Sequence, residues 1–274
     1  MKDLKDKIAV ITGAASGIGL ALTERCIAEG MKVVMADIEA PKLEAESARL
    51  TAAGGDVTPF VCDVSDADQV EALKVAALAA YGAVHLLVNN AGVASGKTHI
   101  NATPGDLDWV IGVNVLGVSY GVAAFARMMI EQGEGYIVNT ASEAGLIATP
   151  FLGSYHTSKY AVVGLSEGLA MELEGTGVGV SCLCPELINT KIFESARNAP
   201  ASAGLPVPGD IPISFAEQMM GTTAMDAADA AADIIYAVKA NRFWIITHQV
   251  TLERMAKRNE DLERGRRPRN PQAH

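Results

Sequence analysis

Apolar residues fall along this chain in short uninterrupted runs, separated by longer stretches in which apolar positions recur every three or four residues. Seven runs read as strands: Lys7–Thr12, Lys32–Ala36, Val57–Val61, Val84–Val88, Tyr136–Val138, Gly177–Cys184 and Phe243–Thr247. Runs without polar alternation belong to strands buried on both faces, as in a parallel sheet. Between them the period lengthens to that of a helix, from Gly19 to Gly30, Lys42 to Ala53, Ser65 to about Tyr81, Pro104 to Gln132, Tyr155 to Gly175 and Asp226 to Ala240. Strand–helix alternation without a repeat or linker predicts an α/β fold. One doubly wound, seven-stranded parallel sheet should carry helices on both faces, in a single domain over residues 1–274, with ligands at the carboxyl ends of its strands.

Two segments fall outside that alternation. Residues 189–223 are rich in Pro, Ala, Gly and Ser, with four prolines between Pro200 and Pro212. A loop of this length inside a compact domain reads as a substrate-binding loop or lid. Residues 250–274 begin helical and end basic, with four arginines between Arg264 and Arg269, a run expected to be solvated.

Composition narrows the classes. The 274 residues suffice for one sizeable core, and the net charge of −10 argues against a nucleic-acid partner. No apolar run reaches the roughly 18 residues that span a bilayer, so no membrane contact is expected. Cys26, Cys62, Cys182 and Cys184 sit in apolar surroundings without C-x-x-C spacing. They read as buried reduced thiols, with no metal site, in a cytoplasmic protein.

The chemistry gathers at the predicted strand ends. After the first strand comes Gly13-Ala14-Ala15-Ser16-Gly17-Ile18-Gly19, which opens a helix. Glycines there let backbone amides approach a pyrophosphate at the positive helix end. Asp37 closes the second strand 18 residues past Gly19, placed to accept hydrogen bonds from ribose hydroxyls and to repel a 2′-phosphate. At about 4 Å and an effective dielectric of 20 that repulsion is about 4 kcal/mol before screening. The glycine loop offers no cation against it, so NAD is preferred over NADP. Asp63, followed by Val64, stands to meet an adenine edge or to begin a helix. Asn90-Ala91-Gly92 offers an amide and small residues at the fourth strand's end, and Asn114 is a polar residue within a long apolar helix. His85 lies in a strand and reads as structural.

From Gly135 to Leu173 runs the segment that concentrates the chemistry. Tyr155 and Lys159 are four apart, one helical turn on one face, and a loop can return Ser142 to them. A free phenol has a pKa of about 10, leaving its anion roughly 4 kcal/mol uphill near neutrality. A neighbouring ammonium is expected to lower that cost and make the tyrosine a general acid/base.

Taken in order, Thr12-Gly13-x-x-x-Gly17-x-Gly19, Asp63, Asn89-Asn90-Ala91-Gly92, Asn114, Ser142 and Tyr155-x-x-x-Lys159 cover essentially the whole chain. In this set the chain resembles the classical short-chain dehydrogenases/reductases. The resemblance implies a Rossmann-type sheet, a nicotinamide cofactor and a homotetramer. It implies roles for Tyr155 as acid/base, Lys159 as pKa-lowering group and ribose ligand, and Ser142 as holder of the substrate oxygen. Asn114 would keep a relay water. Ile188 and Thr190 match the family pattern that meets the carboxamide, but Pro185-Glu186 stands where the family commonly has Pro-Gly.

Ala94, Ala144, Leu152, Pro185, Leu187 and Phe193 are expected to wall the substrate pocket, with Glu186 and Glu143 as acidic exceptions, Glu143 facing solvent. No Arg or Lys besides Lys159 is placed to pair a substrate anion, and Arg197 is the nearest reserve. The reading is an NAD-dependent oxidoreductase for a neutral, largely apolar secondary alcohol or ketone. Its alternatives are an NADP-dependent carbonyl reductase and a nucleotide-sensing binding protein without turnover.

Overall fold

The structure, a computed structural model, describes residues 1–204 and 224–270. Seven strands, β1 (Ile8–Thr12), β2 (Lys32–Asp37), β3 (Val57–Val61), β4 (Leu86–Asn89), β5 (Gly135–Thr140), β6 (Val178–Cys184) and β7 (Trp244–Ile246), form one sheet. All pairings are parallel, in the order β3-β2-β1-β4-β5-β6-β7. The strand order reverses between β1 and β4, and the crevice beyond their carboxyl ends is the switch point at which such sheets bind ligands.

Helices α1 (Gly17–Ala28), α2 (Ala40–Ala52), α3 (Ala67–Tyr81), α4 (Pro104–Ile111), α5 (Gly117–Gln132), α6 (Gly153–Glu172), α7 (Ala227–Ala240) and α8 (Gln249–Glu263) follow the predicted periods within a few residues. On one face Leu22 and Cys26 of α1 join Ile234 and Val238 of α7 over β1, β2 and β4. On the other, Val70 and Leu73 of α3 meet Phe125 and Met129 of α5. Each such fully buried side chain contributes about 1.5–3 kcal/mol. The two layers thereby hold the strand ends rigidly around the crevice.

The structure changes three expectations. A five-residue π turn, Gly112–Leu116, interrupts the helix predicted over Pro104–Gln132. The Asn114 side chain accounts for the insertion: its Nδ2 donates to Val93 O (2.9 Å) and Ser158 Oγ (2.9 Å), and its Oδ1 accepts from Val93 N (2.8 Å). This same Pro104–Gln132 stretch is long and apolar enough, by length and composition alone, to cross a membrane, which the run-by-run reading missed. Here Val118, Gly121, Phe125 and Met129 bury one side of it against the sheet.

The basic tail is not simply solvated. Arg269 Nε reaches Asp261 Oδ2 at 2.7 Å and Arg264 pairs Glu260 at 2.9 Å, because α8 ends in acids that its own continuation can fold back to meet. Of the predicted lid, 189–204 is described and 205–223 lies outside the described residues. Its described part contains two 3-10 turns, Ile192–Asn198 and Ala201–Ala203. The two ends of the lid meet at its base, where Met225 N donates to Leu187 O (3.0 Å) and Asn189 N donates to Met225 O (2.9 Å).

Candidate active site

A cleft of about 1110 Å³ opens over the carboxyl ends of the strands. Its first half is built by the glycine turn. Gly13 and Gly17 take φ of +66° and +53°, where a side chain is strained, and a Cβ on Gly13 would lie 3.0 Å from Ala91 Cα. A Cβ on Gly19 would lie 2.2 Å from Gly13 O, so this glycine closes the turn from behind and does not line the cleft. Ser16 caps α1 with no hydrogen bond from its side chain, leaving a hydroxyl and the helix N-terminus, with Ile18 beside them, facing the cleft. Asn90 Nδ2 donates to Thr12 O (2.9 Å), and Ala91 N donates to Thr12 Oγ1 (3.0 Å), which ties the end of β4 to that of β1. Such a cradle has room only for a ligand that approaches the backbone closely, as a pyrophosphate does.

Asp37 is held in place: Oδ2 accepts from Ala15 N (2.9 Å) and Oδ1 from Glu39 N (3.0 Å). Asp63 accepts from Ser65 N (2.9 Å) and Ser65 Oγ (2.7 Å), so its carboxylate orders the turn while Asp66 caps α3. Asp63 and Val64 nevertheless line the cleft, as do Gly92, Pro185, Ile188 and Thr190. These residues suit a nicotinamide dinucleotide.

The second half holds Ser142, Tyr155 and Lys159. Ser142 follows β5 and caps the short turn Glu143–Gly145, its Oγ accepting from Ala144 N (3.1 Å) and donating to Pro185 O (3.3 Å). Tyr155 lies in the first turn of α6, and Lys159 Nζ stands 5.5 Å from its ring centre. Lys159 is buried, and its Nζ donates to Thr140 O at 2.9 Å. Burial pushes the ammonium down to about 8, opposed by Cys182 and Cys184 beneath it. Burial also raises the Tyr155 phenol, with the Ser142 hydroxyl pulling it back. The expected lowering of the phenol by Lys159 is therefore not met: both groups are desolvated and the ammonium is spent on the Thr140 carbonyl. Asn114 does not line the cleft. It ties the Val93 backbone to the buried Ser158, and a Cβ on Gly92 would lie 3.5 Å from Asn114 Oδ1 and 3.6 Å from Lys159 Nζ.

Ala94, Ala144, Leu152, Glu186, Leu187 and Phe193 all line the cleft. The charges around them differ from expectation. Glu143 is not solvated: it is 7 % exposed, and Arg254 Nη1 of α8 donates to its Oε1 (2.7 Å) and Oε2 (3.1 Å). Arg254 Nη1 also donates to Glu186 Oε1. Burial raises the Glu143 carboxyl while Arg254 opposes the shift. Glu186 thus turns to α8, which accounts for a carboxylate where the family commonly has glycine. Arg197, the reserve cation, is taken up at the Asp37 end of the cleft, where its Nε pairs Glu39 at 2.5 Å and Asn198 Nδ2 donates to the same Oε1 at 2.8 Å. The sequence reading missed Arg254 and its neighbours Val250, Glu253 and Lys257 on the cleft wall. The signal for them was two unaccompanied acids beside Ser142 and Pro185.

The four cysteines are free and buried, Cys182 and Cys184 with sulfurs 3.7 Å apart. Among the described residues no three His, Cys, Asp or Glu side chains are grouped to hold a metal.

Fold and site together define a dinucleotide-binding α/β protein with a hydroxyl, a phenol and an ammonium where a bound ring would react. Residues 7–201 match the family model for short chain dehydrogenases. A solved short-chain dehydrogenase/reductase from Burkholderia phymatum, in complex with NAD, superposes with a TM-score of 0.95 at 41% identity over 100% of both chains. The D-threitol dehydrogenase of Mycolicibacterium smegmatis is 34% identical over 84% of this chain and 89% of its own. A dehydrogenase/reductase of CLA biosynthesis from Lactiplantibacillus plantarum is 31% identical over 90% of each. The chain belongs to the short-chain dehydrogenase/reductase family of oxidoreductases.

Proposed function

We propose that this protein is an NAD-dependent dehydrogenase/reductase that interconverts a neutral, largely apolar secondary alcohol and its ketone. The observation that carries the proposal is the presence of Ser142, Tyr155 and Lys159 on one wall of a cleft whose far end is closed by Asp37. Bound nicotinamide supplies the hydride acceptor or donor. Tyr155 takes the alcohol proton during oxidation and returns it during reduction. Ser142 Oγ holds the reacting oxygen against the phenol. Lys159 offsets the phenolate's cost of roughly 4 kcal/mol near neutrality once ligand contacts draw its ammonium from Thr140. Asn114 holds the Gly92–Val93 backbone and Ser158 in place around that ammonium; its part in a proton relay belongs to the same proposal. The NAD complex of the Burkholderia phymatum protein and the anchored Asp37 both favour NAD over NADP.

The test is NADH formation over a panel of neutral and carboxylated secondary alcohols, run in parallel with NADP. Turnover of the neutral members with NAD is expected, and the absence of turnover with bound NAD would leave the nucleotide-sensing alternative. We further propose a cytoplasmic homotetramer. The reduced cysteines and the exposed Met171, Tyr236 and Trp244 support it, and light scattering tests the assembly.

A further inference from the structure

Glu186, the acidic departure from the family pattern, does not stand alone. Glu143 adjoins Ser142, Glu186 adjoins Pro185, and Glu143 N donates to Pro185 O at 2.8 Å. Glu143 is therefore one residue from the serine that would hold the reacting oxygen, and Glu186 one residue from the proline whose carbonyl accepts from that serine at 3.3 Å. Arg254 reaches them from α8, 14 % exposed, and all three residues line the cleft.

The hydrogen-bond inventory of this cluster is lopsided. Among the described residues one nitrogen, Nη1, makes every contact of Arg254 to the two carboxylates. Nε, Nη2 and Glu186 Oε2 make no hydrogen bond among the described residues. The cluster thus offers both donors and an acceptor, beside the apolar side chains of Ala144, Leu187 and Val250 that share its wall. Two carboxylates and one guanidinium also leave it one negative charge in excess. On either side of Arg254 in α8, Glu253 and Lys257, one of each sign, do not change that balance.

We propose that Glu143, Arg254 and Glu186 form a substrate subsite for a second, neutral hydroxyl on the alcohol, and that this subsite turns carboxylated substrates away. A hydroxyl is donor and acceptor at once and satisfies both kinds of open group. A carboxylate only accepts, and would bring a third negative charge beside a single guanidinium. The subsite rests on the proposed alcohol dehydrogenase reading and makes its substrate class narrower: an apolar frame with two hydroxyls, one oxidised and one gripped.

The experiment compares kcat/KM for cyclohexanol, the cyclohexanediols and the matching hydroxycyclohexanecarboxylates in the native protein, Glu186→Gln and Glu186→Ala. NADH affinity serves as the folding control. In the native protein a diol should exceed cyclohexanol by about tenfold, the scale of a hydrogen bond to a charged group, and the hydroxy acids should fall below cyclohexanol. Glu186→Gln removes the excess charge and should raise the hydroxy acid to diol ratio by at least about tenfold. Glu186→Ala removes the acceptor and should bring the diol to cyclohexanol ratio toward one. Cyclohexanol turnover with ratios that do not move between native and variant proteins overturns the subsite alone. Failure of the whole panel despite bound NADH overturns the dehydrogenase reading and the subsite with it.

Discussion

Replacing Lys159 by Met should make the ligand-free protein more stable while disabling its proposed chemistry. The lysine is 3 % exposed and its ammonium is pushed from 10.5 down to about 8. A shift of that size means that keeping Lys159 charged at neutral pH costs the fold about 3 kcal/mol. Met removes that charge at similar volume but also removes the donor to Thr140 O, a loss of about 1 kcal/mol. The net gain is about 2 kcal/mol, or about 4–8 °C in Tm for a chain of this size. The pH dependence follows from the depressed pKa. Between about 8 and 10.5 the unfolded chain binds the extra proton, so native stability climbs with pH across that window and is flat below it. The advantage of Lys159→Met should therefore be constant below pH 8, vanish at about pH 9.5 and reverse to about 1 kcal/mol in favour of the native protein by pH 10.5. Urea unfolding of both proteins at several pH values measures it. A variant less stable than native at pH 7, or an advantage that ignores pH from 8 to 10.5, would refute the reasoning.

Three further outcomes are expected. Tyr155→Phe should cut turnover by at least about a hundredfold, the lower end for losing general acid–base help, while NADH titration shows binding largely intact; retained turnover refutes the assignment. NAD should be preferred over NADP by roughly two to three orders of magnitude in kcat/KM, and Asp37→Ser should narrow that gap mainly through NADP; equal values in the native protein would sink the argument. Glu39→Gln weakens the Arg197–Asn198 contact across the Asp37 end of the cleft and should speed NADH release by about two- to fivefold, in line with a partly exposed ion pair, as read by stopped-flow fluorescence; an unchanged release rate removes that contact from the closing of the cleft.

What the sequence made legible follows from how local each signal is. The buried runs of β1, β2, β5 and β6 and the glycine turn are contiguous, so their pattern survives without knowledge of the rest. Tyr155 and Lys159 are linked by helical spacing, and Ser142 by the strand end before them. Arg254 lies 111 residues from Glu143 and 68 from Glu186, and no spacing rule connects them. For the same reason Glu143 reads as solvated and Arg197 as free until the fold supplies Arg254 and Glu39. The π turn at Asn114 also escaped, because its cause is a hydrogen bond to Val93, 21 residues away. The raised Tyr155 phenol is a matter of burial, which helical spacing does not report.

The closed base of the segment after β6 has a consequence for how such a protein can change. Leu187, Asn189 and Met225 bring its two ends together, and its described part is tied to the frame again where Arg197 and Asn198 meet Glu39 and where Ala203 packs on Val93 and Trp109. Doubling the length of a loop closed at its base adds only about 0.6 kcal/mol of closure entropy. Phe193, which lines the cleft, lies inside this stretch, while Ser142, Tyr155, Lys159 and Arg254 lie outside it. Exchanges within this stretch that keep the Arg197, Asn198 and Ala203 anchors should leave the reacting groups, which stand on other elements, in place. New substrate ranges are therefore reachable through one contiguous stretch of gene, with the Arg254 cluster left as the fixed polar landmark against which every new loop is selected.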